Sequence, residues 1–286
     1  MKESVWVTGG EGFIGSNLCR RLVDEGYRVI SIDREWSLKD HIPGVQYFHA
    51  HTKDISRLAE SEKKPSLLYH LGEYSRVERS LQEPKLVFDS NSAGTQAVLE
   101  YWRKISCKLV YAGSSTKFAD GGLGRDQSPY AFTKATNTEL VRNYANWYGL
   151  PFAITYFYNV YGPGERAGAY GTVIEIFRQQ HAAGKPLTVV SPGTQKRIFT
   201  HVNDIVDGLL LVGKRGEGDE FGLGSQDRYS ILDVAKMFGG EINMLPERQG
   251  NRMDASLDDS KSRAIGWKPT RSLKQYIESV SRAKAA

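Results

Sequence analysis

The chain has 286 residues, 40% of them hydrophobic and 25% charged, with a formal net charge of +5 at pH 7. That is an ordinary soluble composition, long enough to bury a sizeable core as one large domain or two small ones. The positive charges are scattered, without runs of Lys and Arg interleaved with aromatics, which argues against nucleic acid and favours phosphorylated small molecules as partners.

Two cysteines, Cys19 and Cys107, make neither a disulfide framework nor a zinc site, and no metal site is expected. Both lie in apolar segments, as buried core thiols of a reduced, cytoplasmic protein would. No stretch is apolar enough to span a membrane. A first strand beginning near Ser4 leaves no room for a signal peptide.

In chain order, "SVWV" (4–7) is a short apolar run, followed by glycines, an amphipathic segment and "RVISID" (28–33). This is strand, tight turn, helix and strand, the pattern of a βαβ unit. Gly9, Gly12 and Gly15 are spaced G-x-x-G-x-x-G, flanking Phe13 and Ile14. Glycine permits the turn and lets backbone N–H groups approach a pyrophosphate, where a helix N-terminus adds positive potential. Asp33 then ends the second strand, placed to accept hydrogen bonds from an adenosine ribose and to repel a 2′-phosphate. It favours NAD over NADP, and neighbouring Arg34 loosens that preference.

The alternation continues. "GVQYFHA" (44–50) reads as a strand, "KDIS" (53–56) as a loop and "SLLYHLG" (66–72) as a strand. Residues 86–104 have helical periodicity, "CKLVYAGSS" (107–115) is a strand, Tyr130 opens a helix, and "FAITYFYNV" (152–160) is the next strand. Strands alternating with helices predict a doubly wound, Rossmann-type parallel sheet covered on both faces, with ligands at the carboxyl ends of its strands. Asp54, Gly72, Ser114, Tyr130 and Asn159 fall at or near those ends. Farther on, residues 173–185 and 230–239 read as helices, the second ending at Gly239, and "EINML" (241–245) as a short strand. Ser272 and Gln275 have capping-box spacing at the start of a last helix. This tail reads as a smaller mixed α/β subdomain closing over the substrate. The expected division is 1–158 with about 197–224 for the cofactor, and about 159–196 with 225–286 for the substrate.

"SPYAFTK" (128–134) places Tyr130 four residues before Lys134. A tyrosine–lysine pair at this spacing arises by chance about once in such a chain and needs context. Seven motifs in order supply it. They are "TGGEGFIGSNL", "YHLG", "YAGSSTKFAD", "SPYAFTK", "YFYNVYGPG", "KRIFTHVNDIVDGLLL" and "DDSKSRAIGWKP". Together they resemble the extended short-chain dehydrogenase/reductase family and, within it, the nucleotide-sugar epimerases of the UDP-glucose/galactose 4-epimerase kind. The resemblance runs nearly end to end.

That resemblance implies roles. Tyr130 would be the catalytic acid and base, with Ser114 holding the reacting oxygen. Lys134 would bind the nicotinamide ribose and lower the tyrosine pKa. Leu71 and Gly72 would line the cofactor, Asn91 would lie near its nicotinamide side, and Asp54 with Ile55 against its adenine. Asn159 and Arg197 would hold the nucleotide diphosphate of the substrate, together with Arg248 or Arg252. Ser115 would face the sugar. Asp258 matches a family Asp, and a helix N-cap explains it equally well. A homodimer through the helices near 86–104 and 131–148 is also implied.

Three departures qualify the likeness. Sugar 4,6-dehydratases of the family carry Asp-Glu directly after the catalytic Ser or Thr; here those positions hold Ser115 and Thr116. The segment from Ser114 to Tyr130 is short, which implies a more open sugar pocket. Glu73 replaces a small residue, and Ser75 stands where galactose epimerases often have lysine. Glu73 is open to three readings: sugar ligand, second acid/base, or ion-pair partner of Arg76 or Arg79. The expected activity is NAD-dependent epimerisation of a nucleoside-diphosphate sugar at C4. The alternatives are an NAD(P)H-dependent ketoreductase of such a sugar and a non-catalytic dinucleotide sensor.

Overall fold

The computed structural model describes residues 2–35, 41–58, 60, 62–118, 124–166, 168, 171–247 and 256–282. Its first half builds most of one sheet. Strand β1 (Ser4–Thr8) leads through the glycine turn into α1 (Phe13–Asp24), then β2 (Arg28–Asp33) and β3 (Val45–His49). After β3 the sequence suggests a loop, but residues 52–58 wind into a 3₁₀ turn (Thr52–Asp54) and one turn of helix, α2 (Ile55–Leu58). The His51 side chain caps this turn by accepting from the Lys53 N–H, and the Ile55 side chain drops into the core. That local cap and one buried isoleucine are enough to order four residues whose composition alone reads as loop.

Strand β4 (Leu67–His70) is followed by two short helices, α3 (Val77–Ser80) and α4 (Pro84–Val87). Then comes a six-residue π-helical turn (Phe88–Ala93) and α5 (Gly94–Ile105). The periodicity over 86–104 predicts one continuous helix. The π turn interrupts it and turns Ser90 and Asn91 inward, both buried.

Strand β5 (Lys108–Ser114) precedes the long helix α6 (Pro129–Tyr148), which Ser128 caps through its hydroxyl and Gly149 ends in the left-handed region. Strands β6 (Phe152–Phe157) and β7 (Val160–Tyr161) follow, separated where Asn159 takes a positive φ of 26°. The remaining elements are α7 (Val173–Ala182), β8 (Leu187–Val190), β9 (Lys196–Ile198), β10 (Thr200–His201), α8 (Val202–Arg215) and β11 (Gly218–Leu223). They are completed by β12 (Arg228–Ser230), α9 (Ile231–Phe238), β13 (Ile242–Leu245), α10 (Ser260–Ala264) and α11 (Leu273–Arg282).

The main sheet has seven strands in the order β11-β6-β5-β4-β1-β2-β3, and every neighbouring pair is parallel. This is the Rossmann-type sheet expected. Side chains of β1 alternate across it. Trp6 enters a core with Leu68, Tyr111, Val98 and Trp102 on one face, while Val5 and Val7 join Leu18, Tyr69 and Leu209 on the other. A third core, built around Phe177, Val189, Phe199, Val234, Phe238 and Ile277, holds the later elements together. There β8 pairs with β13 in parallel and β9 with β12 antiparallel, a mixed α/β arrangement. Asp204 of α8 ties this region to the sheet: its carboxylate accepts from the Arg271 backbone N–H, the Arg271 guanidinium and the Thr270 hydroxyl.

Both cysteines are free and buried, as the sequence suggests. Ser230 and Asp233 form a capping box that opens α9. Ser272 Oγ accepts from the Gln275 N–H at 3.3 Å, as its spacing predicts. The N-cap of α10 is Asp259 rather than Asp258, and Asp258, one residue earlier, accepts from the Ser260 N–H at 3.0 Å.

Trp102 tests the first core. Its indole is fully buried and its N–H donates to the Cys107 carbonyl at 2.7 Å. Trp102→Ala is expected to cost about 3–5 kcal/mol, read as a lowered urea midpoint by circular dichroism.

Candidate active site

The glycine turn is set by close backbone approach. Gly9 has φ +75°, and a Cβ there would stand 2.8 Å from the backbone of Leu71 and Gly72. At Gly15 a Cβ would fall 2.0 Å from the Gly9 carbonyl oxygen. Gly12 caps α1 without a side chain, so the first N–H groups of the helix stay open to a ligand. At the end of β2, the two Asp33 carboxylate oxygens accept from the backbone N–H groups of Glu11 and Glu35, each at 3.0 Å. Burial pushes its pKa up against those hydrogen bonds. A tight glycine cradle, an uncapped helix N-terminus and a carboxylate at the neighbouring strand end are what a dinucleotide needs, and they fit NAD.

From this cradle a cleft of about 510 Å³ runs along the carboxyl ends of β1, β4, β5 and β6. It is lined by Gly9, Gly12, Phe13, Ile14, Gly15, Asp33 and Arg34 on the cofactor loop side, and by Leu71, Gly72 and Glu73 after β4. Ser114, Ser115, Tyr130, Lys134 and Asn159 line its other end. Most of the residues singled out in the sequence therefore meet in one cavity.

The rest do not. Ile55 is fully buried in the core, and Asp54 sits in the 3₁₀ turn while His51 and Thr52 take the lining positions. Asn91 is also fully buried. Its amide clips the backbone of Tyr74, accepting from the N–H at 2.6 Å and donating to the carbonyl at 3.2 Å. Arg197 lies on β9, and its guanidinium donates to the Lys196 carbonyl. Arg248 and Arg252 lie outside the described residues.

At the floor, the Tyr130 hydroxyl donates to Ser114 Oγ at 3.1 Å, and the Thr116 hydroxyl donates to the same oxygen at 2.9 Å. The Thr116 backbone N–H also donates to it at 3.3 Å, so the serine oxygen acts as acceptor here and its own proton is left for a further group. Lys134, one turn beyond Tyr130, is ion-paired with Glu73; the two side chains are 7% and 3% exposed. The ammonium also donates to the Ala112 carbonyl and lies 4.6 Å from the centroid of the Tyr111 ring. The Glu73 partner is thus Lys134, rather than Arg76 or Arg79.

Sequence reasoning missed the surroundings of this pair. Glu73 Oε1 accepts from Asn137 Nδ2 at 2.7 Å, Thr95 Oγ1 at 3.0 Å and Tyr111 Oη at 3.1 Å. Because Thr95 gives its proton to Glu73, it accepts from His70 Nε2 at 2.9 Å, and His70 Nδ1 then accepts from the Thr8 hydroxyl at 2.7 Å. Burial holds His70 neutral, its pKa down to about 4. Burial alone would raise the Glu73 pKa, but the Lys134 charge and the hydrogen bonds of Lys134 and Asn137 outweigh it and the net shift is downward. Only Asn137 had a signal in the sequence: Tyr130, Lys134 and Asn137 stand at i, i+4 and i+7, one face of α6.

A parallel sheet of this order, with a dinucleotide cradle and a serine–tyrosine–lysine group in one cleft, defines an extended short-chain dehydrogenase/reductase. The chain belongs to the NAD dependent epimerase/dehydratase family, whose model matches residues 5–224, and its cofactor is NAD. Among its relatives is a Methanocaldococcus jannaschii protein named "Putative UDP-glucose 4-epimerase", 29% identical over 96% of each chain. The UDP-N-acetyl-alpha-D-glucosaminuronate decarboxylase of Bacillus cytotoxicus is 28% identical over 82% of this chain and 79% of its own. Of the solved structures, the Thermus thermophilus UDP-glucose 4-epimerase complex with NAD superposes with a TM-score of 0.89 at 25% identity, covering 99% of each chain.

Gly15→Ala is expected to weaken NAD binding at least roughly tenfold, about 1.4 kcal/mol, because the methyl group meets backbone rather than a movable side chain. Isothermal titration of the nucleotide-stripped protein checks this.

Proposed function

We propose that this protein is an NAD-dependent epimerase of a nucleoside-diphosphate sugar, inverting C4 through a transient keto sugar. The observation that carries the reading is the contact of Tyr130 with Ser114, beside Lys134, in the cleft that begins at the glycine cradle. The relatives include a "Putative UDP-glucose 4-epimerase" and a UDP-sugar decarboxylase by name, which supports a nucleotide sugar as substrate.

When bound, NAD supplies a two-electron acceptor that can return what it takes. Gly9, Gly12 and Gly15 bring backbone N–H groups to its diphosphate, Asp33 takes the adenosine ribose hydroxyls, and Lys134 offers an N–H to the second ribose. Tyr130 Oη removes the proton of the sugar C4 hydroxyl and returns it after the keto sugar has turned over. Ser114 donates its free proton to the same sugar oxygen and keeps it in line with Tyr130. Water elimination needs an acid and a base beside the serine. Ser115 and Thr116 stand there instead, and Thr116 is spent on Ser114, which favours epimerisation over dehydration.

Residues 1–158 with about 197–224 carry the cofactor in this reading, and about 159–196 with 225–286 the sugar nucleotide. Asn159 and Arg197, with Arg248 or Arg252, hold the diphosphate. No described helix is long and apolar enough to cross a membrane, and the reading is of a cytoplasmic enzyme. A homodimer through α5 and α6 accounts for the exposed rings of Phe88, in the π turn that leads into α5, and Phe132, on α6, whose centroids lie 6.3 Å apart.

The test is a panel of UDP-, GDP-, CDP- and dTDP-sugars incubated without added cofactor and followed by NMR. A stereoisomer at unchanged mass, with NAD released on denaturing the protein, is the expected result. Conversion only of keto sugars, and only with added NAD(P)H, overturns the epimerase in favour of a ketoreductase. With the active sugar in hand, Tyr130→Phe is expected to lower kcat by about 10²–10⁴-fold while leaving the bound NAD content unchanged.

A further inference from the structure

The loop after β4 carries a carboxylate where the motif it resembles has a small residue, and that carboxylate lies against the lysine of the reactive pair. Glu73 is held from every side. Its backbone N–H donates to Leu71, and Asn91 fixes the next peptide by clipping Tyr74. Thr95 of α5, Tyr111 of β5 and Asn137 of α6 all donate to Oε1, leaving Oε2 to Lys134. Three elements thus commit a donor each to one buried oxygen. Such an acceptor is built to stay an anion, since protonating it would strand those donors.

We propose that Glu73 is a positioning residue for the catalytic pair: its carboxylate fixes the Lys134 ammonium against β5 and cancels most of the charge Lys134 would present to Tyr130. The inference rests on the reading of Tyr130 and Lys134 as that pair. Lys134 has three N–H donors; Glu73 and the Ala112 carbonyl take two, which leaves one for a ribose hydroxyl. The titratable and charged groups that line the cleft with the tyrosine are Lys134 on its own helix, Glu73 and Arg76 after β4, Asp33, Arg34, Glu35 and His51 at the cofactor end, and Arg166; His70 and Tyr111 belong to the hydrogen-bond network of Glu73. His70 is neutral and Tyr111 stays protonated, its pKa held well above the ordinary value by burial and by Glu73. The local balance therefore turns on Lys134 against Glu73. With the pair intact, Tyr130 ionises at higher pH than it would beside an uncompensated ammonium.

The experiment is a pH titration of near-ultraviolet phenolate absorbance on the NAD-bound protein, taken for each variant minus its Tyr130→Phe counterpart. In Glu73→Gln and Glu73→Ala the Tyr130 step is expected to move acidward by about one unit relative to wild type. Glu73→Asp keeps the charge and is expected to return the step toward the wild-type position. Glu73→Ala installs the small residue of the family pattern and gives the reading if the buried glutamine prevents folding. A step that stays in place, or moves to higher pH, in the folded neutral variants overturns the proposal. No sugar is present, so conversion only of keto sugars with added NAD(P)H overturns the epimerase reading without touching this result. Where activity is measurable, the acid limb of the kcat profile is expected to follow the absorbance step.

Discussion

The order of the strands governs everything at the site. All seven are parallel, so their carboxyl ends lie along one edge of the sheet, and the order reverses between β1 and β4. From β1 the chain winds outward through β2 and β3, then returns to β4 and winds the other way. The connections leaving β1 and β4 therefore diverge, and a crevice opens between them. The Gly9 turn and the Gly72 turn face each other across it so closely that a methyl group on either would meet backbone or packed side chain at about 3 Å or less. That approach fixes where a dinucleotide can lie. It also fixes which residues one or two positions farther on, Glu73 above all, end up inside.

The fold was legible because its signals are local. Alternating apolar runs and helical periods, glycine spacing and the acid at the end of β2 each follow from a few neighbouring residues. The Tyr130–Lys134 face of α6 was legible for the same reason. What stayed hidden was set by contacts between distant segments. Nothing near Glu73 announces that Lys134, sixty-one positions on, is its partner rather than the nearby arginines. Nothing in "KDIS" says that Ile55 will be pulled into the core and Asp54 held in a 3₁₀ turn. Resemblance places Asn91 beside the cofactor, yet the π turn spends its amide on the Tyr74 backbone.

The buried polar chain beneath the cleft has a physical logic of its own. Thr8, His70, Thr95 and Glu73 pass hydrogen bonds in one direction, ending on a carboxylate that also takes Tyr111, Asn137 and Lys134. Such a chain is costly if incomplete and rigid if complete. Every member is satisfied by another, so the lysine and the tyrosine above it rest on a base whose hydrogen-bond directions have a single consistent assignment. The ion pair is a weak argument for stability, since desolvating two charges offsets much of their attraction. It is a strong argument for geometry, because both charges lose if either side chain moves.

The two cysteines have a practical consequence. Cys19 lies under the glycine turn with no exposed surface, and Cys107 is 8% exposed at the start of β5. Burial raises both thiol pKa values, that of Cys107 to about 12, so neither offers a thiolate at neutral pH. A cysteine introduced on the surface would be the one reactive thiol of the folded chain. A spin or fluorescent label could then be attached at a chosen point without first removing a native residue.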